Sequence, residues 1–525
     1  MRSQRGKSWT RREIISFSAL LLAGLLLRGI YFYQVKDTAV FNSYRLDHLD
    51  MNFFNSWAEA IKAGDLLTRR SLHPYHYWHK RFGSKAEWEE WYGETRFHQS
   101  PLYPYLLAGF YSAGISITGV KIIQALAGVL SIVLIYLLAR SLISTRAAFI
   151  AALLALLYGP FYLYETQLLR ATWITLAGIS SVYLCLRAQN GRSAWWWIAA
   201  GFVLGLLFLL KGGFFLWLLL VLIWMGIVVK KRRALIKAYL LILLPFALCL
   251  TPLVLRNYLV GAPPLSSSSV GAVTFTFGNA ADVSGVKFET SRFTREIMLE
   301  SGGALWPTVI STLKTHHRGF PSIAGQMGRK FLAFFQGYET PNNADYYYAC
   351  LHSTFLKWGT FTFSVIGPLG LLGIFLSRKE GRGFLLLYFY LGGILVQILL
   401  FYYISRFRLP GVAVLIIFAG GAGEMIIGLL RKKDKTRGLA VILVVLALYL
   451  ALSPPWVPAR RINCDDFVTV AGFYALRGDY SVADRELDIA LKVYPKDKNY
   501  IDKVRGEVRQ LELTRPAKQA ARGTP

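Results

Sequence analysis

Residues 201–233 read GFVLGLLFLLKGGFFLWLLLVLIWMGIVVKKRR, two apolar runs separated by Lys211-Gly212-Gly213 and closed by four consecutive cations. A run of about 17 to 22 apolar residues is long enough to cross a bilayer as a helix. Runs of this kind begin near Ile14, Val120, Ala147, Leu168, Ala194, Gly213, Ala238, Thr360, Phe384, Gly411 and Leu439, about eleven in all. The chain is expected to be an all-α polytopic membrane protein. Its basic start and first apolar run, with no small-residue cleavage site, read as a retained span and not a cleaved signal peptide.

Composition points the same way. Of 525 residues, 54% are hydrophobic and 17% charged, too few polar groups to cover the three or four soluble domains that the length alone would suggest. Disorder is excluded for the same reason. Lys plus Arg number 59 against 30 Asp plus Glu, a surplus of +29. The cations cluster at residues 2–12, 140–146, 187–192, 230–237, 378–382 and 431–437, between the apolar runs. That is the positive-inside bias of a many-spanning protein, not a nucleic-acid-binding face.

Placing the amino terminus in the cytoplasm and alternating sides puts all six clusters inside. Glu165, Lys211 and the long loop after Arg256 then fall outside. Residues 101–114 are apolar too, but a full crossing there would export the later clusters, so they are read as a helix in the interface or dipping back. Two large exterior loops result, at about 34–119 and 257–357, and large loops usually carry function. Residues 1–455 form the transmembrane domain and 456–525 an exterior tail. Within the tail, Gly478-Asp-Tyr480, Ala483, Leu487, Ala490 and Pro495 have the spacing of a tetratricopeptide repeat's second half, which suggests a small helical cap or a docking element for a protein. Four cysteines, Cys185, Cys249, Cys350 and Cys464, are too few for a disulfide scaffold; Cys350 and Cys464 would pair only if both face an oxidising compartment.

Charges near the ends of apolar runs need a reason. Asp47-His-Leu-Asp50 opens a segment in which Phe53, Trp57, Ala60 and Ile61 recur at helical spacing, with Gly64 as its stop, so a short amphipathic helix is expected on the membrane. Asp50 at its start is either an N-cap or a carboxylate held where it could act as a general base. His73, His76 and His79 superficially suggest metal ligands, yet no Cys or carboxylate pattern accompanies them and Tyr75, Tyr77 and Trp78 fit an interfacial belt better. Trp88, Trp91 and Tyr92 could stack on a sugar or belong to that belt. Glu165 is an acid on a very short exterior turn, where an ion pair with Arg170 is the plain alternative. Lys211, Arg256, Arg406 and Arg408 stand on the side that the positive-inside bias disfavours. Snorkelling to headgroups would explain any one of them, and holding a phosphate would explain them together.

The segment Asp50-x-x-Phe-Phe-x-x-Trp-Ala-x-Ala-Ile-x-x-Gly64-Asp65, then Pro101-Leu-Tyr103-Pro104, then Glu165, resembles the GT-C membrane glycosyltransferases. The branch it is most similar to is that of the bacterial relatives of dolichyl-phosphate-mannose protein mannosyltransferases and of the lipid A aminoarabinose transferase. The resemblance continues through Lys211-Gly212, Arg256-Asn-Tyr258, Gly278-Asn279, Arg329-Lys330, Glu339-Thr-Pro-Asn342-Asn343 and Arg406-Phe-Arg408-Leu-Pro410, over about residues 10 to 455. It implies a GT-C-like bundle in a bacterial plasma membrane. It also implies transfer of a sugar from a polyprenyl-phosphate carrier to a hydroxyl of a protein, lipid or glycan on the exoplasmic side, with inversion. Carried over residue by residue, the catalytic Asp maps to Asp50, with Asp47 as fallback, and the second-loop acid to Glu165, where many relatives have Asp. The phosphate-binding cations map to Lys211, Arg256, Arg406 and Arg408. On these motifs or beside them, His98, Tyr103, Tyr258, Asn279 and Glu339 are candidates for contacting substrate or acceptor. Some relatives use a divalent metal, for which no ligand set is evident here. Ser100 stands where the aminoarabinose transferases have Lys before Pro101, which weakens a lipid A acceptor. The reading from another class is a secondary transporter, which would place polar residues near mid-bilayer in broken helices.

Overall fold

The computed structural model describes residues 9–69, 74–75, 79–80, 83–191, 193–378, 381–431, 435–452 and 462–521, and every element among them is helical. Six helices have the length and composition to cross a membrane: Arg11–Val35, Ile117–Leu142, Ala171–Asn190, Arg232–Leu259, Gly383–Leu400 and Ser405–Arg431. Five shorter apolar helices occupy the remaining runs, at Thr145–Leu157, Trp195–Leu210, Gly212–Val228, Phe363–Ser377 and Thr436–Leu452. The protein is a multi-pass membrane protein, and its lipid-facing sides carry large exposed side chains such as Leu22, Leu26, Phe202, Leu248 and Leu450. In water such a surface would aggregate.

The helix Ser405–Arg431 is the central post. It packs against Phe363–Ser377, Thr145–Leu157, Ala171–Asn190, Arg382–Leu400 and Ile117–Leu142, and residues 408–420 are all buried. Small residues set the close approaches. At Gly128, a Cβ would overlap the Glu165 carboxylate, so only glycine lets the helix Ile117–Leu142 pass the buried Glu165–Arg28 pair.

One local expectation changes. The helix Asp50–Lys62 forms where expected and ends beside Gly64, whose φ of +107° suits glycine. Its inner face is Met51, Phe54, Trp57, Ala58 and Ile61, and it packs on the helix Leu102–Ser112 instead of lying on the membrane. That partner has 11 residues, a length of roughly 16 Å, half of what a crossing needs. The non-crossing reading of residues 101–114 agrees with that length. All four cysteines are free, so Cys350 and Cys464 do not pair.

The helices Cys464–Arg477 and Tyr480–Val493 form a hairpin around Phe467, Ala471, Tyr474, Ala483, Leu487 and Ala490. Gly478, left-handed at φ +85°, ends the first of them, and a third helix, Lys498–Ala521, leans on both. His73, His76, Tyr77 and Trp78 lie outside the described residues.

Candidate active site

The polar ends of several apolar helices converge on one cavity of about 610 Å³. Arg170, just ahead of the helix Ala171–Asn190, Lys211, in the turn between Trp195–Leu210 and Gly212–Val228, and Arg406, in the first turn of Ser405–Arg431, all line it. Asp50 stands in the same wall, with Gln99, Asn342 and Asn343 beside it. Trp88, Tyr92, His98, Phe277, Phe288 and Phe407 give the cavity aromatic surfaces.

Asp50 does not cap its helix. Leu49 holds the cap position, and the Asp50 carboxylate turns to the cavity. Arg406 donates from Nη1 and Nη2 to Asp50 Oδ2, each at 3.1 Å, and Asn343 Nδ2 donates to the same oxygen at 2.8 Å. The Asp50 backbone N–H is taken up by Asn343 Oδ1 at 2.8 Å. Asn343 makes this two-point clasp from φ +60°, a conformation Asn tolerates better than most residues and one that concentrates at functional sites. Arg406 Nη2 also donates to Asn342 Oδ1 at 2.8 Å. On the other side, Arg170 donates to Gln99 Oε1 at 2.7 Å, and Gln99 Nε2 approaches Asp50 Oδ1 at 3.5 Å. Arg170, Gln99, Asp50, Arg406 and Asn342 thus form one continuous polar chain.

Lys211 differs from its neighbours. Its Nζ lies 3.8 Å from the centre of the Phe407 ring and has no hydrogen-bond acceptor among the described residues. Burial, together with Arg170 and Arg406, pushes its pKa down to about 7. Three basic side chains thus face one space, with a single carboxylate among them.

The other expected residues lie elsewhere. Arg256 donates to the carbonyls of Leu67, Thr68 and Thr95 at 2.6 to 2.8 Å, tying the first loop to the end of the helix Arg232–Leu259. Arg408 is fully buried, donating to Phe334 O, Gln336 O and Glu339 Oε2. Glu339 also accepts from Tyr158 Oη and the Phe363 N–H. Glu165 accepts from Arg28 Nη2 at 2.6 Å, not from Arg170, and both are buried. Tyr103 donates to Gln124 Oε1 at 2.8 Å, behind the cavity. Asn279 is held by Lys330 and by the carbonyls of Phe275 and Leu400. Tyr258 is 76% exposed and Asp47, with a side chain 70% exposed, pairs with Arg477; neither lines the cavity. Of the residues named from sequence, Asp50, Lys211, Arg406 and His98 share the cavity, and Trp88, Tyr92 and His79 line it too. Arg170, Gln99, Asn342 and Asn343 join them; the two asparagines end the motif Glu339-Thr-Pro-Asn342-Asn343, and Arg170 reads from sequence only as a partner for Glu165.

A divalent metal does not suit this donor set. Among the described residues Asp50 is the only carboxylate lining the cavity, its Oδ2 is occupied by Arg406 and Asn343, and no group of three or more His, Cys, Asp or Glu could hold an ion.

Fold and site together describe a helical membrane protein with a cavity at the ends of its spans that is lined by basic side chains and one carboxylate, and the chain is similar to the GT-C membrane glycosyltransferases. Residues 98–255, which carry His98, Glu165, Arg170 and Lys211, match the sequence model of the dolichyl-phosphate-mannose-protein mannosyltransferase family. No curated protein matches the chain in sequence. Among solved structures, the oligosaccharyltransferase AglB of Archaeoglobus fulgidus, in complex with an inhibitory peptide and a dolichol-phosphate, aligns over 90% of this chain and 60% of its own, with 16% identity and a TM-score of 0.45. ArnT of Cupriavidus metallidurans bound to undecaprenyl phosphate aligns over 96% of this chain and 78% of its own, with 14% identity and a TM-score of 0.42. The chain thus spans about three fifths of the archaeal enzyme's length.

Proposed function

We propose that the protein is a glycosyltransferase that moves a sugar from a polyprenyl-phosphate carrier to an acceptor hydroxyl on the exoplasmic face, with inversion and with Asp50 as the general base. The observation that carries this reading is the meeting of Asp50 with Arg170, Lys211 and Arg406 around one cavity at the ends of apolar helices. A lipid-linked phosphate needs both parts of such a place, an apolar flank for its tail and cations for its head.

The charge balance favours transfer over mere binding. In the donor, the phosphate is a diester with one negative charge. As the acceptor oxygen bonds to the anomeric carbon, the carbon–oxygen bond to phosphate breaks and its electron pair stays on the phosphate, which becomes a monoester of about −1.5 to −2. The charge grows during the reaction, so three cations stabilise the transition state more than the bound donor. Asp50 takes the proton that the hydroxyl loses. For this it must be freed from Arg406, and the donor phosphate is the competing anion that would draw the guanidinium away. Trp88, Tyr92 and Phe277 provide faces for a sugar ring.

The test is transfer by the purified protein in nanodiscs supplied with polyprenyl-phosphate sugars and a panel of hydroxyl acceptors. Asp50→Asn should lower the rate about 10²- to 10⁴-fold while still binding donor. Full transfer by that variant would eliminate Asp50 as base. Substrate flux into proteoliposomes without any transfer would instead identify a transporter.

A further inference from the structure

The tail hairpin shares its core with the chain segment that leads into Asp50. Ala39 and Leu46 are buried in the same apolar cluster as Phe467, Tyr474 and Leu487, with Leu49 packed against its edge. At the centre of this contact sits Glu486, completely buried. Its Oε1 accepts from the Ala39 N–H at 2.9 Å, and its Oε2 accepts from Tyr348 Oη at 2.6 Å and lies 2.8 Å from His352 Nε2. A buried carboxylate without partners would be costly. Here it is satisfied only when the tail, the 39–50 segment and the helix Tyr346–His352 are all in place.

Those two segments are the ones that build the base side of the cavity. The first ends in Asp50; the second follows directly on Asn342 and Asn343, which clasp Asp50 and Arg406. Around Glu486 the contact continues toward the cavity. Asp479 pairs with Arg45, Arg477 pairs with Asp47 at 3.0 Å, and the Phe473 ring lies 5.4 Å from that of His48, a residue of the cavity wall. We infer that the tail is an internal clamp that positions Asp50 against Asn343 and Arg406, with Asp47 a member of that clamp and not an alternative base. The inference rests on Asp50 being the base of the proposed reaction.

The clamp separates two quantities that a direct catalytic role would not. Lys211 and Arg170 stand at the ends of helices that do not pack on the tail among the described residues, so loosening the tail should lower kcat and leave donor binding in place. In full-length protein, Glu486→Ala should speed amide hydrogen exchange over residues 39–50. It should also reduce kcat at least tenfold, with the affinity for undecaprenyl phosphate held within about threefold. Arg45→Asp and Asp479→Arg should each lower kcat, and the double swap should recover most of it. Asp47→Asn should cost no more than about threefold, whereas loss of a true base costs about 10² or more.

Faster exchange at residues 39–50 with unchanged kcat would overturn the clamp. So would a double swap that fails to recover, or a base-sized loss in Asp47→Asn. Equal loss of donor affinity and kcat in Asp479→Arg would mean that the tail supports the whole fold, and would overturn it too. Absence of transfer in the wild-type protein would count against the proposed reaction alone. In that case unchanged exchange at residues 39–50 in Glu486→Ala would still refute the positioning contact. If kcat survived every variant while an envelope protein stopped binding, the tail would be a docking element instead.

Discussion

Arg406 stands between two anions. In the structure its Nη1 and Nη2 serve Asp50 and Asn342, and its buried Nε has no acceptor among the described residues. A donor phosphate diester would offer that guanidinium the same single charge as Asp50 does, and the monoester formed on transfer would offer more. Arg406→Lys keeps the charge but loses the planar fork, so kcat/KM should fall about 10- to 100-fold, with the larger part in kcat if Asp50 is no longer released in step with donor binding. Lys211 adds a pH signature. Burial beside Arg170 and Arg406 pushes its pKa down to about 7, and a bound phosphate favours the ammonium and raises it again. Donor affinity should therefore be flat below about pH 7 and decline above it, until the pKa of the bound state is passed. Binding of a polyprenyl-phosphate sugar, a diester whose charge does not change from pH 6 to 9, checks this, and Lys211→Gln should flatten the curve. Asp50, Lys211 and Arg406 were legible in the sequence because each is a charge at the edge of an apolar run. Arg256 and Arg408 carry the same signature. Sequence does not reveal whether a guanidinium faces a cavity or the carbonyls of a neighbouring loop.

The element ends give those two arginines a different task. Arg256 gathers three carbonyls from residues 67–95, and Arg408 closes a buried junction between Phe334, Gln336 and Glu339. Removing Arg408 leaves the Glu339 carboxylate buried without its cation. Such breaks cost about 3–5 kcal/mol. Arg408→Met should accordingly lower the thermal midpoint in detergent while the folded fraction binds donor with unchanged affinity. Arg408→Met combined with Glu339→Gln should regain part of the loss. A loss of affinity in properly folded Arg408→Met would return that residue to the phosphate. The helices themselves were legible from hydropathy, because a bilayer imposes length and apolarity on any segment that crosses it. The seat of the helix Asp50–Lys62 was not. Its apolar face fits a membrane surface and the helix Leu102–Ser112 equally well, and only the tertiary fold chooses between them.

Across the whole molecule, the basic cluster at residues 140–146 and the cavity occupy opposite ends of the helix bundle. The helix Ser405–Arg431 holds Arg406 in the cavity, while Glu424 near its far end accepts from Ser144 at 2.6 Å. Its 27 residues extend about 40 Å. Around that far end, Glu13 joins Arg140 and Thr145, so the start of Arg11–Val35, the end of Ile117–Leu142 and the start of Thr145–Leu157 lie together among basic clusters. Tail contacts with residues 39–50 put the carboxyl-terminal helices at the cavity end. By the positive-inside bias, the proposed exoplasmic reaction expects this cavity outside the cytoplasm. The helix Arg232–Leu259 allows a direct check, since exposed Lys231 precedes it and exposed Leu265 follows it on the cavity side. In a background with the four native cysteines replaced, Leu265→Cys should react with a membrane-impermeant maleimide added to intact cells. Lys231→Cys should react only after the membrane is opened. Reversed labelling would put the cavity in the cytoplasm and remove exoplasmic transfer from the proposed reaction.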